Sequence, residues 1–103
     1  MRTICRIVLA LCLATTSAIA GAALNVFACE PEWGALAQEL GGDKVAVFTA
    51  TTALQDPHRI EARPSLIARA RSADLLVCTG AELEIGWVPL LLTQSGNARI
   101  QAG

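Results

Sequence analysis

The run Leu24-Asn25-Val26-Phe27-Ala28-Cys29 is almost continuously apolar, the pattern of a strand buried on both faces rather than one. Beyond Glu30-Pro31 the period changes. Trp33, Leu36, Ala37 and Leu40 recur at i, i+3, i+4 and i+7, which predicts a helix with one apolar stripe. Pro31 suits its first turn, where a missing N–H is not needed, and Gly41-Gly42 can close it with a left-handed cap. Lys44-Val45-Ala46-Val47-Phe48-Thr49 is rich in β-branched residues and reads as a second strand. Residues 50–63 are aperiodic, with Asp56-Pro57 marking a loop, and a loop this long in a small domain tends to be functional. Pro64-Ser65 opens a second helix through Leu66, Ile67, Ala70 and Ala73, with Ser65 expected as its cap. Asp74 to Cys78 reads as a third strand, broken by Thr79-Gly80. Glu82 to Gln94, carrying Leu83, Trp87, Leu90 and Leu91, reads as a third helix with Pro89 in its first turn, ended by Ser95-Gly96-Asn97.

Alternating strands and helices with apolar strands predict an α/β fold: a parallel sheet with helices on both faces, joined by right-handed crossovers. Ligands of such sheets bind outside the carboxyl ends of the strands. The segments expected there are Glu30 to Glu32, Thr51 to His58 and Thr79 to Glu84. His58, the single histidine, therefore falls on the edge where chemistry is expected.

The start of the chain has a different character. Arg2 and Arg6 precede the apolar stretch Ile7 to Ala14, and small residues follow, which is the form of an export signal over residues 1–20 with cleavage after Ala20 or Ala22. The apolar stretch is short of the ~20 residues a spanning helix needs. Cys12 follows the bulky Leu11, which disfavours lipid attachment. Residues 21–103 then form one small α/β unit of an exported protein. Beyond Ala20 six basic residues face nine acidic ones, so no basic patch for nucleic acid exists.

Two cysteines remain beyond the signal, Cys29 and Cys78. An oxidising compartment permits a disulfide between them. Burial as two small hydrophobes is the preferred reading, since neighbouring strands rarely offer disulfide geometry.

The imidazole of His58 suits zinc and neighbouring first-row ions, and Asp56 or Glu61 could fix the ring from behind. By itself the pattern is weak, because no His-x-x-x-His or Cys-x-x-Cys accompanies it. Glu30, Glu32, Glu82 and Glu84 would gather on the same edge and could do acid–base work, but helix capping and solvent exposure are the simpler reading. Trp33 and Trp87 are expected to pack helices on the sheet. A phosphate cradle and a Gly-x-Ser-x-Gly elbow are both absent.

Taken in order, Asp56-Pro57-His58, Glu61, Arg63-Pro64-Ser65, Ala73-Asp74-Leu75-Leu76-Val77, Gly80-Ala81-Glu82-Leu83-Glu84 and Trp87 resemble the N-terminal lobe of the metal-binding receptors of zinc and manganese ABC importers. Gly41-Gly42-Asp43-Lys44-Val45 fits the same pattern. The resemblance implies a two-lobed, monomeric periplasmic protein with no enzymatic activity. Such a receptor captures a divalent ion between its lobes and delivers it to an inner-membrane ABC permease driven by a cytoplasmic ATPase. His58 would be the first of four metal ligands, the others being later histidines and a carboxylate. The chain would then be an incomplete first lobe, about a third of a receptor. Zinc ranks ahead of manganese as the transported ion. Two departures stand out: Glu61-Ala62 replaces the frequent Glu-Pro, and Cys29-Glu30-Pro31-Glu32-Trp33 is unlike the common members. The alternatives are a small exported α/β enzyme using the acidic cluster, and an exported adhesion or interaction module.

Overall fold

The structure, a computed structural model, describes residues 23–101. The expected export signal and both of its cleavage points lie outside the described residues. Strands β1 (Leu24–Ala28), β2 (Val45–Thr49) and β3 (Leu75–Val77) form one sheet in the order β2-β1-β3, every pair parallel. Helix α1 (Pro31–Gly41) connects β1 to β2, and α2 (Pro64–Arg71) precedes β3. Helix α3 (Val88–Ser95) follows β3, and short 3-10 turns cover Gly42–Lys44, Pro57–Arg59 and Ala98–Ile100. None of the described helices is long and apolar enough to cross a membrane.

The register assigns the two faces of the sheet. Phe27 is aligned with Phe48 on one side and Leu76 on the other, so these three share a face. Against that face pack Leu66 and Ala70 of α2, Leu91 and Leu92 of α3, and Trp87, forming the main core. Phe48 meets the Phe27 ring at 5.3 Å between centroids, and the Arg69 guanidinium carbon lies over the Phe48 ring, 4.9 Å from its centroid. The opposite face carries Leu24, Val26, Val45, Leu75 and Val77, which with Trp33, Leu36, Ala37 and Leu40 of α1 line an apolar groove. Helices thus cover both faces, as the alternating pattern predicts. The stripe of α1 is only partly buried, however: Leu36 is 46% exposed and Leu40 79%.

Close backbone approach fixes α1 on β2. A side chain at Gly34 would collide with the Oγ1 of Thr49, so only glycine lets the helix sit at this distance. At the end of α1, Gly42 takes φ +55° but ψ −126°, so the helix is closed by a glycine-favouring positive φ rather than by the left-handed cap the sequence predicts, and the Gly42 N–H donates to the Gln38 carbonyl.

Two helix starts differ from expectation. Helix α2 begins at Pro64 with Arg63 as N-cap, so Ser65 lies inside it and its Oγ accepts from the Arg63 Nε at 3.1 Å. Proline at the first helical position is already set at a helical φ and lacks the N–H a cap would serve. Helix α3 begins at Val88, six residues later than its apolar spacing suggests. A helix running from Glu82 would have placed the Pro89 ring against the carbonyl of Ile85 and forfeited a hydrogen bond. Residues 81–87 instead form turns, with Ala81 and Glu82 at φ +51° and +69°. Asn97, which the sequence pattern marks only as part of a helix stop, is buried and donates from Nδ2 to the carbonyls of Ala70 at 2.9 Å and Ala73 at 2.7 Å, closing the end of α2.

Candidate functional site

All three strands point their carboxyl ends to one edge, and the loops leaving Ala28, Thr49 and Val77 gather there. The loop after β2 is ordered by burial at three points. Ala50 N–H donates to the Ala28 carbonyl at 2.8 Å, Thr51 Oγ1 donates to the Cys29 carbonyl at 2.8 Å, and Ile60 enters the core. Between these anchors Asp56 caps the 3-10 turn that carries His58, accepting from the His58 backbone N–H at 3.0 Å.

The same Asp56 oxygen meets the His58 Nδ1 at 2.9 Å. Nδ1–H donation to this carboxylate fixes the ring and leaves the lone pair of Nε2 available. The His58 backbone N–H, then its ring, hold the Asp56 carboxyl below its ordinary range, keeping it charged and accepting. The imidazole is 62% exposed, so a ligand reaches it from solvent. Glu61 is exposed as well, and no hydrogen bond among the described residues joins its carboxylate to His58. Of the two candidate supports, the structure brings only Asp56 to the ring.

The turn is held from beneath by residues 84–87. Trp87 is fully buried, and its Nε1 donates to the Pro57 carbonyl at 2.8 Å. Gly86 runs so close that an added Cβ would lie 3.0 Å from the His58 carbonyl oxygen. Trp87 therefore does more than pack a helix, as expected from its sequence: it ties the histidine turn to the core. No local sequence pattern carries this role, because Trp87 and Pro57 are 30 residues apart.

Glu30 and Glu84 also depart from expectation. Both are buried, at 2% and 5% exposed, whereas Glu32 and Glu82 face solvent as the simpler reading held. Glu84 accepts the backbone N–H groups of Thr79 at 2.9 Å and Gly80 at 3.0 Å, which stitches the turn after β3. Trp33 Nε1 donates to Thr79 Oγ1 at 2.8 Å, and that hydroxyl donates to Glu30 Oε1 at 2.7 Å. Glu30 Oε2 is buried with no donor reaching it. Burial, followed by its hydrogen-bonding contact with Glu84, raises the Glu30 carboxyl to about 7. Burial opposes charge on Glu84 too, but the hydrogen bond from Glu30 and the N–H groups of Gly80 and Thr79 hold it below its ordinary range. Of the two carboxyl groups, Glu30 is therefore the one whose neutral form burial favours and Glu84 the one kept charged.

Beside this pair the structure joins Cys29 to Cys78 as a disulfide, with Cα atoms 4.9 Å apart. They extend the β1–β3 register one step beyond its last pair, Ala28 with Val77. The expectation of two separate buried thiols does not hold, because the β1–β3 register sets Cys29 and Cys78 directly opposite each other just past the ladder's last pair.

The family described as the periplasmic component A of the zinc-uptake complex matches residues 26–103. No curated protein sequence matches. Among solved structures, a ZnuA crystal structure is 25% identical with a TM-score of 0.68, covering 77% of this chain and 31% of its own. The Zn(II)-bound AdcA of Streptococcus pneumoniae is 24% identical with a TM-score of 0.63, covering 78% of this chain and 17% of its own. A periplasmic metal-binding protein of Candidatus Liberibacter asiaticus is 22% identical with a TM-score of 0.66, covering 76% and 29%. The chain thus spans less than a third of the length of each of these proteins. Because the family match runs from within β1 through the whole carboxyl edge and the His58 turn, the chain belongs to the family of periplasmic A components of zinc-uptake complexes.

Proposed function

We propose that this chain is part of a periplasmic zinc receptor and that His58 is one of the ligands of the transported ion. The observation that carries this reading is the His58 turn: an exposed imidazole on the carboxyl edge, its Nδ1 held at 2.9 Å by a charged Asp56. That arrangement presents Nε2 in one orientation, as metal-ligating histidines commonly require. Imidazole nitrogen favours zinc over manganese in the general affinity order of divalent ions. Membership of the zinc-uptake family and the Zn(II)-bound state of AdcA support the same ion. The remaining donors, by resemblance further histidines and a carboxylate, come from other parts of the receptor. Glu61 then acts as a solvent-facing residue and Asp56 as the support of the ring.

Capture and release need no covalent step. Ligands preorganised on rigid turns replace the water around the ion, and separation of two lobes frees it for an ABC permease powered by its cytoplasmic ATPase. The receptor works as a monomer after export through the signal at residues 1–20. The buried Glu30–Glu84 pair, already committed to Thr79 and Gly80, serves to hold the edge together rather than to perform acid–base catalysis on a substrate.

The test is zinc affinity of the full-length receptor, measured by chelator competition. His58→Ala lowers it by more than Asp56→Asn, which costs on the order of 10–100-fold as loss of a supporting hydrogen bond does. Equal affinity in the wild type and His58→Ala overturns the ligand assignment. A preference for manganese over zinc overturns the choice of ion.

A further inference from the structure

The strand order β2-β1-β3 places the reversal of chain direction across the sheet between β1 and β3. In open parallel sheets the carboxyl ends at such a reversal border the natural crevice. Here that position is filled by Cys29, Cys78, Glu30 and Glu84, none of which the His58 turn uses. The Sγ atoms of Cys29 and Cys78 and a carboxylate oxygen of Glu84 all lie within 4.8 Å of one another. Cys29 and Glu84 are buried, and Glu84 is oriented by the N–H groups of Thr79 and Gly80, as a metal-bound carboxylate is oriented by its own hydrogen bonds. Behind it, Glu30 is 2% exposed and its Oε2 has no donor. A buried carboxyl oxygen without a donor is an unmet polar group, which a bound cation and its water could satisfy.

We propose that Cys29, Cys78 and Glu84 form a second, redox-gated site for a soft divalent cation, closed while the disulfide is intact and opened by its reduction. A dithiol reductant supplies the two electrons: the Cys29–Cys78 S–S bond breaks, two thiols form, and the dithiol leaves as its own disulfide. On metal binding each thiol loses its proton to solvent, and the two thiolates and the Glu84 carboxylate bind the ion as three donors. Water takes the fourth position, and Glu30 holds Glu84 from behind. Two thiolates with a carboxylate suit zinc, and cobalt reports the same donors spectroscopically. The bound ion would close the same chain loop as the disulfide, whose cysteines are 49 residues apart.

The experiment uses the full-length receptor carrying His58→Ala, so that the first site is disabled, titrated with Co(II) after reduction by a phosphine and again in the oxidised form. The reduced protein is expected to develop the near-ultraviolet thiolate-to-cobalt charge-transfer band with one equivalent of metal, which added zinc displaces. The oxidised protein and Cys78→Ser develop none. Glu84→Gln weakens binding at least tenfold, and Glu30→Gln by roughly tenfold. Absence of the band from the reduced protein overturns the proposal. So does a band indifferent to Glu84→Gln, since that comes from thiols of an unfolded chain. Failure here is separable from failure of the His58 reading, which is judged in the oxidised protein by zinc affinity alone.

Discussion

At the scale of single residues, the site is an arrangement of short polar side chains whose partners are local and one aromatic whose partner is remote. Asp56 accepts from the backbone and the ring of His58 at once, so a single carboxylate sets both the turn and the ring orientation. Trp87 secures the other side of the turn through the Pro57 carbonyl. Trp87→Phe keeps the buried ring volume but leaves that carbonyl unpaired. We expect a stability loss of about 1 kcal/mol in chemical denaturation, together with a several-fold loss of zinc affinity as the turn loosens. Unchanged affinity would show that the tryptophan bond does not position His58. Glu30 gives a pH prediction. Its carboxyl is raised from 4.5 to about 7 in the folded protein, so folding favours its neutral form. The stability it contributes is fully present below the unfolded value and is lost as pH rises through about 7. Glu84, held low, works in the opposite direction and only in more acidic solution. Melting temperature measured from mildly acidic to neutral pH should therefore fall less steeply in Glu30→Gln, whose amide is neutral throughout. A slope identical to the wild type would remove the proton from Glu30.

At the scale of elements, the helices are placed by what they cannot contain as much as by what they bury. Pro64 and Pro89 set the beginnings of α2 and α3, and Gly34 permits α1 to touch β2. Gly34→Ala should destabilise the fold by roughly 1–3 kcal/mol, as overpacking does. Thr49→Ala removes the hydroxyl it strikes, so the double variant should recover part of the loss in a thermodynamic cycle. Strictly additive losses would mean that the helix and strand do not meet at this pair.

At the scale of the molecule, the chain carries a single histidine. The chain spans 17% to 31% of ZnuA, AdcA and the Liberibacter protein, and one imidazole is too few donors for a tight zinc site. With its disulfide intact, the 103-residue chain by itself is expected to bind zinc weakly, and the longer receptor of the proposed function tightly, when both are titrated against the same chelator. Comparable affinity in the two would show that His58 and its neighbours suffice.

The alternation of apolar runs and helical stripes determined the α/β class, the parallel sheet and the edge on which His58 lies, because period and strand burial are local properties of the chain. Asp56 was legible as a support of the ring for the same reason, being two residues from it. Tertiary structure alone decided which acidic residues are buried, since Glu30 and Glu84 meet only when β1 and β3 pair. It also decided the Cys29–Cys78 bond, which depends on a register no spacing reveals, and the anchoring of Pro57 by Trp87. Pairwise contacts between distant segments depend on the strand order β2-β1-β3, and that order is fixed by packing across the whole sheet.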